Sequence, residues 1–183
     1  MAAAFRSDRY TSVAIALHWT LAALILFNLF VGIGHDALPR DWALMPAHKA
    51  VGILVLALSL VRLGWRLAHR APDFAPGVQP WERLVAKVTH WTFYALMIVV
   101  PLTGWMLVSG AKTPRPFSFF GLFDVPFLPV GRAGGGFGHE AHEVLGYAMA
   151  ALVALHVAAA LWHQFGRRDG TLGRMIPALK RGA

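Results

Sequence analysis

Four apolar runs constrain this chain more than any other feature in it. They extend from about Val13 to Gly34, Ala47 to Leu67, Val88 to Val108 and Val144 to Phe165. Each is about 20 residues long, enough for a helix to cross a hydrocarbon core of roughly 30 Å. A segment inside lipid must satisfy its own backbone hydrogen bonds, and a helix does so within itself. The composition agrees: 57% of residues are hydrophobic, only 14% are charged, and mean hydropathy is +0.53. That is too little charge to cover the surface of a soluble protein of this size. The expectation is an all-α membrane protein, one domain over residues 1–183. Its core is a four-helix transmembrane bundle, with helices at about 13–34, 47–67, 88–108 and 144–165. Pro101 lies inside the third run and predicts a kink rather than an end. The first run is too long for the apolar part of a signal peptide, contains His18 and lacks a small-residue cleavage site, so it reads as a retained helix.

The charges set an orientation. The N-terminus, the second connection (Arg62 to Lys87) and the C-terminal tail hold 12 of the 17 basic residues and 4 of the 9 acidic ones. The first and third connections hold 5 of each. Basic residues favour the cytoplasmic side, which predicts both termini in the cytoplasm. The net charge of +8 is spread between apolar runs and forms no basic face, so nucleic acid is not the expected partner; the lipid bilayer is.

There are no cysteines, which excludes disulfides, iron–sulfur clusters and covalent haem attachment. There are nine histidines, most of them in or beside the apolar runs. A histidine within a membrane helix is a functional candidate by default. His142 and His156 are 14 residues apart, so they share one helix face at a separation of roughly 21 Å. Partners exist at matching depth. His48 opens the second run on the same side as His142, and His18 lies near the cytoplasmic end of the first run, as His156 does in the fourth. Two facing neutral imidazoles suit a six-coordinate, low-spin haem. Structural zinc wants four close ligands, and two at each of two depths fit it poorly. His163 follows His156 by two helical turns on a similar face, where it either contacts a quinone headgroup or faces lipid headgroups. Arg62 follows His48 by 14 residues and reaches the inner level, where it either pairs with a haem propionate or snorkels to the cytoplasm. His90 is expected nearer the cytoplasmic surface than His156, supporting a propionate or substituting as a ligand.

The motifs ALHWT at His18, PAHKAVG at His48, EAHEVLGY at His142 and ALHVAAALWHQF at His156 resemble the bacterial di-haem cytochrome b561 family. The similarity extends from about Arg9 to Pro177 and includes the closing DGTLGRMIP stretch. The resemblance implies two haem b groups, with His18 and His156 on the inner iron and His48 and His142 on the outer one. It implies a multi-pass protein of the bacterial inner membrane. It also implies an oxidoreductase that takes electrons from periplasmic superoxide and reduces ubiquinone, with His163 at the quinone. The alternative is a cytochrome subunit relaying electrons between a dehydrogenase partner and the quinone pool. The long connection from Gly110 to Glu140, rich in Gly, Pro and Phe, is expected to be irregular and to act either as a cap on the bundle or as a substrate lid.

Overall fold

The computed structural model describes residues 9–75, 77–176 and 178. Arg6, Lys180 and Arg181 of the orientation argument, and Pro177 of the closing stretch, lie outside the described residues. Four long helices dominate the fold: α1 (Ser12–Gly34), α2 (Leu44–Ala68), α3 (Pro80–Ser109) and α4 (Gly131–Leu161). A π-helical turn, Trp162–Arg167, continues α4. All four are long and apolar enough to cross a membrane. Each helix packs on its sequence neighbour, α4 also touches α1, and the α3–α4 contact is the most extensive. Large apolar side chains such as Leu26, Phe30, Leu60, Val61 and Leu155 point outward. Water would make that arrangement costly, whereas lipid makes it the ground state.

The helices begin where start signals, rather than the apolar runs, dictate. Thr11 caps α1 by accepting the Ala14 N–H at 3.2 Å. The α3 helix begins at Pro80, eight residues before the apolar run. Pro80 is preset for a first helical position, and Glu82 accepts the Gln79 N–H at 2.7 Å. Pro101 lies within α3 without ending it.

The start of α4 differs most from expectation. Residues 131–140 were expected in the outer loop but are helical, although they include Gly134, Gly135, Gly136 and Gly138. Glycine is a poor helix former in isolation. Here it lets two backbones touch: a β-carbon on Gly135 would lie 2.5 Å from the Gly110 backbone, and one on Gly138 would lie 2.7 Å from the Leu107 nitrogen. Close backbone approach through small residues is how membrane helices gain packing energy without a hydrophobic driving force. The remaining outer connection is partly ordered by a short hairpin, β1 (Ser118–Phe119) with β2 (Phe123–Asp124). It is seated by Trp105 Nε1 donating to the Pro126 carbonyl at 2.8 Å and by Leu128 N–H donating to Ser109 Oγ at 2.9 Å.

One apolar layer crosses the middle of the bundle. Leu21, Val51, Val55, Leu96, Met97 and Met149 are buried together, so all four helices contribute. Met149 lies seven residues from His142 and seven from His156. The layer therefore separates the two histidine levels.

The Gly135 contact makes a direct prediction. Gly135→Ala should lower stability by about 1–3 kcal/mol through overpacking against Gly110, seen as a lower thermal midpoint in detergent. Gly136→Ala, whose β-carbon would meet nothing within 4 Å, should not lower the midpoint and should raise it slightly through helix propensity.

Candidate functional site

At the outer level His48 of α2 faces His142 of α4, with ring centroids 6.1 Å apart and planes at 89°. At the inner level His18 of α1 faces His156 of α4 at 6.3 Å and 69°. A metal–imidazole bond of about 2 Å on each side of one ion puts two ring centroids roughly 6 Å apart. Both pairs stand at about that spacing. Among the described residues no group of three or more His, Cys, Asp or Glu side chains is placed to hold a metal ion.

The surroundings of the outer pair suit a ligand-bearing imidazole. His142 Nδ1 lies 2.9 Å from the Val100 carbonyl. A carbonyl can only accept, so Nδ1 carries the proton and Nε2 keeps its lone pair. His48 is cradled by Gly32, where a β-carbon would sit 3.1 Å from its ring, and His142 by Gly104, where one would sit 2.8 Å away. A β-carbon at Gly64 or Gly146 would meet nothing within 4 Å. Two buried polar atoms at this level, Asn28 Oδ1 and His48 Nδ1, take no hydrogen bond of normal geometry, although the Asn28 backbone faces His48. Orphaned polar atoms are uncommon in a finished interior and fit a site that receives a further group.

The inner level holds more than the expected pair. His90, expected closer to the cytoplasm, packs beside His156 with centroids 6.0 Å apart, and its Nδ1 lies 2.6 Å from the Ala86 carbonyl. Phe93 closes on His156 at 5.3 Å. Arg62 neither snorkels clear nor stands alone: its Nη2 donates to His18 Nδ1 at 3.2 Å, and its guanidinium lies 5.9 Å from the Tyr94 ring centre. A guanidinium only donates, so His18 Nδ1 accepts here and a neutral ring carries its proton on Nε2. That contact and ligation of iron through Nε2 exclude each other. Arg62 and Tyr94 also line a cavity of about 260 Å³ that includes Arg9, Trp65, Arg66 and Arg70.

His163 lies in the π-helical turn and meets a residue the sequence reading passed over. Its Nδ1 is 2.5 Å from Asp169 Oδ2. Asp169 was counted only as a charge, because the turn that brings it back six residues is invisible in a hydropathy pattern.

Four membrane spans that set imidazole pairs at two levels have the layout of a membrane cytochrome. Comparison with known proteins narrows this class: residues 9–178 match the prokaryotic cytochrome b561 family, and the chain belongs to it. It is 33% identical over 175 residues to cytochrome b561 homolog 2 of Escherichia coli, covering 92% of each chain. It is 29% identical to the probable superoxide oxidase CybB of Yersinia pestis, covering 95% of this chain and 98% of that one. It is 28% identical to cytochrome b562 of Cereibacter sphaeroides, covering 91% and 94%. The protein is thus a multi-pass electron-transfer protein of the bacterial inner membrane, in a family whose cytochromes b carry haem b.

The glycine cradle yields a test. Gly104→Val should push the His142 ring from its seat. Haem bound per chain, measured as the pyridine haemochromogen, should fall relative to the Gly146→Val control.

Proposed function

We propose that this protein binds two haem b groups and carries electrons from superoxide at the periplasmic face to ubiquinone at the cytoplasmic face. The observation that carries the reading is the pair of facing imidazoles at each of two levels, both at a spacing that one iron bridges. His48 and His142 hold the outer haem; His18 and His156 hold the inner one. When bound, such haems supply reversible one-electron chemistry without an open coordination position. The ALHWT motif supports His18 rather than His90 as the partner of His156.

The chain's own residues do the rest. His142 donates a hydrogen bond from Nδ1–H to the Val100 carbonyl, which keeps the Nε2 lone pair for the haem. On the inner side, His18 would hold the haem through Nε2 with its proton on Nδ1, an arrangement that would release Arg62. The Arg62 guanidinium, 5.9 Å from the Tyr94 ring centre, would then be available to neutralise a propionate. The layer from Leu21 to Met149 keeps water from linking the two levels. His163, near the cytoplasmic end of α4, is the quinone contact. Both termini lie in the cytoplasm, in keeping with the basic residues on that side. Superoxide as donor is supported by the likeness to the probable superoxide oxidase and by Lys49, which adjoins His48 with its ammonium 5.9 Å from the Phe117 ring centre.

Two measurements test this. Stopped-flow mixing with superoxide should reduce the haems at on the order of 10⁸ M⁻¹s⁻¹ or faster. Slow reduction, with copurification of a soluble redox subunit, would establish instead the alternative of a cytochrome serving a dehydrogenase. Absorption spectra of His18→Ala, His48→Ala, His142→Ala and His156→Ala should each show one low-spin haem lost, the same one within each pair. Loss of the inner haem in His90→Ala but not in His18→Ala would overturn the inner assignment.

A further inference from the structure

The closing stretch of the chain is built around one short contact. After α4 the backbone shifts to a π-helical turn, and Arg168 adopts φ 52°, a left-handed conformation that a residue with a β-carbon rarely takes. This reverses the chain and sets Asp169 under His163, Oδ2 to Nδ1 at 2.5 Å. The Thr171 N–H fixes the other carboxylate oxygen at 3.0 Å. The reversed segment is held beneath the bundle by Trp19 Nε1, which donates to the Met175 carbonyl at 3.0 Å. The two side chains are 19% and 9% exposed.

The chemistry of the contact is specific. Burial works against charge on Asp169, but the Thr171 hydroxyl, His163 and the Thr171 N–H together outweigh it and hold the carboxyl below its ordinary range. An ionised carboxylate can only accept, so Nδ1 of His163 carries a proton. Among the described residues nothing is bonded to Nε2 of His163. Its neighbours Trp162 and Phe165 are 63% and 70% exposed. Nε2 is the atom left to meet a molecule arriving from the bilayer. A protonated imidazole there is expensive unless a counter-charge accompanies it, and Asp169 is that counter-charge.

We infer that Asp169 and His163 form the proton-delivery couple for the quinone, with His163 the donor and Asp169 its positioning residue. This rests on the quinone reading above. As an electron from the donor oxidised at the opposite face reaches the quinone, the Nε2–H bond breaks and an O–H bond forms on the quinone oxygen. The imidazole is left neutral, its Nδ1–H still given to Asp169, and cytoplasmic water reprotonates Nε2. Two electrons and two protons convert the quinone to the quinol.

The test uses the full chain with its haems. Asp169→Asn keeps an oxygen to accept the Thr171 N–H but removes the counter-charge. It should lower kcat for superoxide-driven reduction of a short-chain ubiquinone about tenfold or more, raise the solvent deuterium isotope effect and leave the rate of reduction by superoxide unchanged. Asp169→Glu should recover part of the loss. ¹⁵N-histidine NMR of the reduced protein should show a low-field Nδ1 proton on His163 that Asp169→Asn removes. Unchanged quinone turnover in Asp169→Asn, or an Nδ1 without a proton in the wild type, would overturn this inference alone. A wild-type protein that reduces no quinone would overturn the quinone reading and this inference with it.

Discussion

An imidazole buried in an apolar helix needs a partner, and at both levels of this bundle an imidazole of another helix faces it. His48 meets His142, and His18 meets His156. His142 Nδ1 reaches across to a carbonyl of α3. Burying a polar ring among lipid-facing helices costs free energy for each nitrogen left without a partner. The register between helices follows from that demand. A one-residue rotation of α4 would turn both of its histidines away from their partners, since 14 residues keep them on a single face.

Helix contact serves the same end by a different means. The α3–α4 pair is held by backbone touching backbone at Gly110, Gly135 and Gly138. That closeness brings the Val100 carbonyl within reach of His142 and sets Gly104 against its ring. An apolar layer lies between the two levels, with Met149 midway in it. Electrons cross such a layer far more readily than protons, so a bundle of this form can hold redox chemistry on one side apart from proton chemistry on the other.

The inner level is built differently from the outer one. It carries a cation, Arg62, against His18, a third imidazole at His90 and an aromatic wall of Phe93 and Tyr94. The outer level has glycine cradles and orphaned polar atoms instead. Unequal surroundings are the means by which a protein sets chemically identical centres at different potentials.

Much of this was legible without coordinates. Helical spacing along one segment is a local property, so the four spans, the shared face of His142 and His156 and the matching depths of His48 and His18 could be counted along the chain. Pro101 and the apolar runs belong to the same local class. The misjudged parts depended on contact between segments far apart in sequence. The glycine-rich start of α4 read as loop because glycine is a poor helix former alone, and only packing against Gly110 makes it helical. His90 was set too near the cytoplasm because α3 begins eight residues before its apolar run. The cradle at Gly32, the hold of Arg62 on His18 and the return of Asp169 to His163 left no periodic trace. The sequence by itself determined how many spans there are and which faces carry histidine, because periodicity and hydropathy act within one segment. The tertiary structure alone decided which nitrogen meets which partner, because that depends on crossing helices and on one reversed turn.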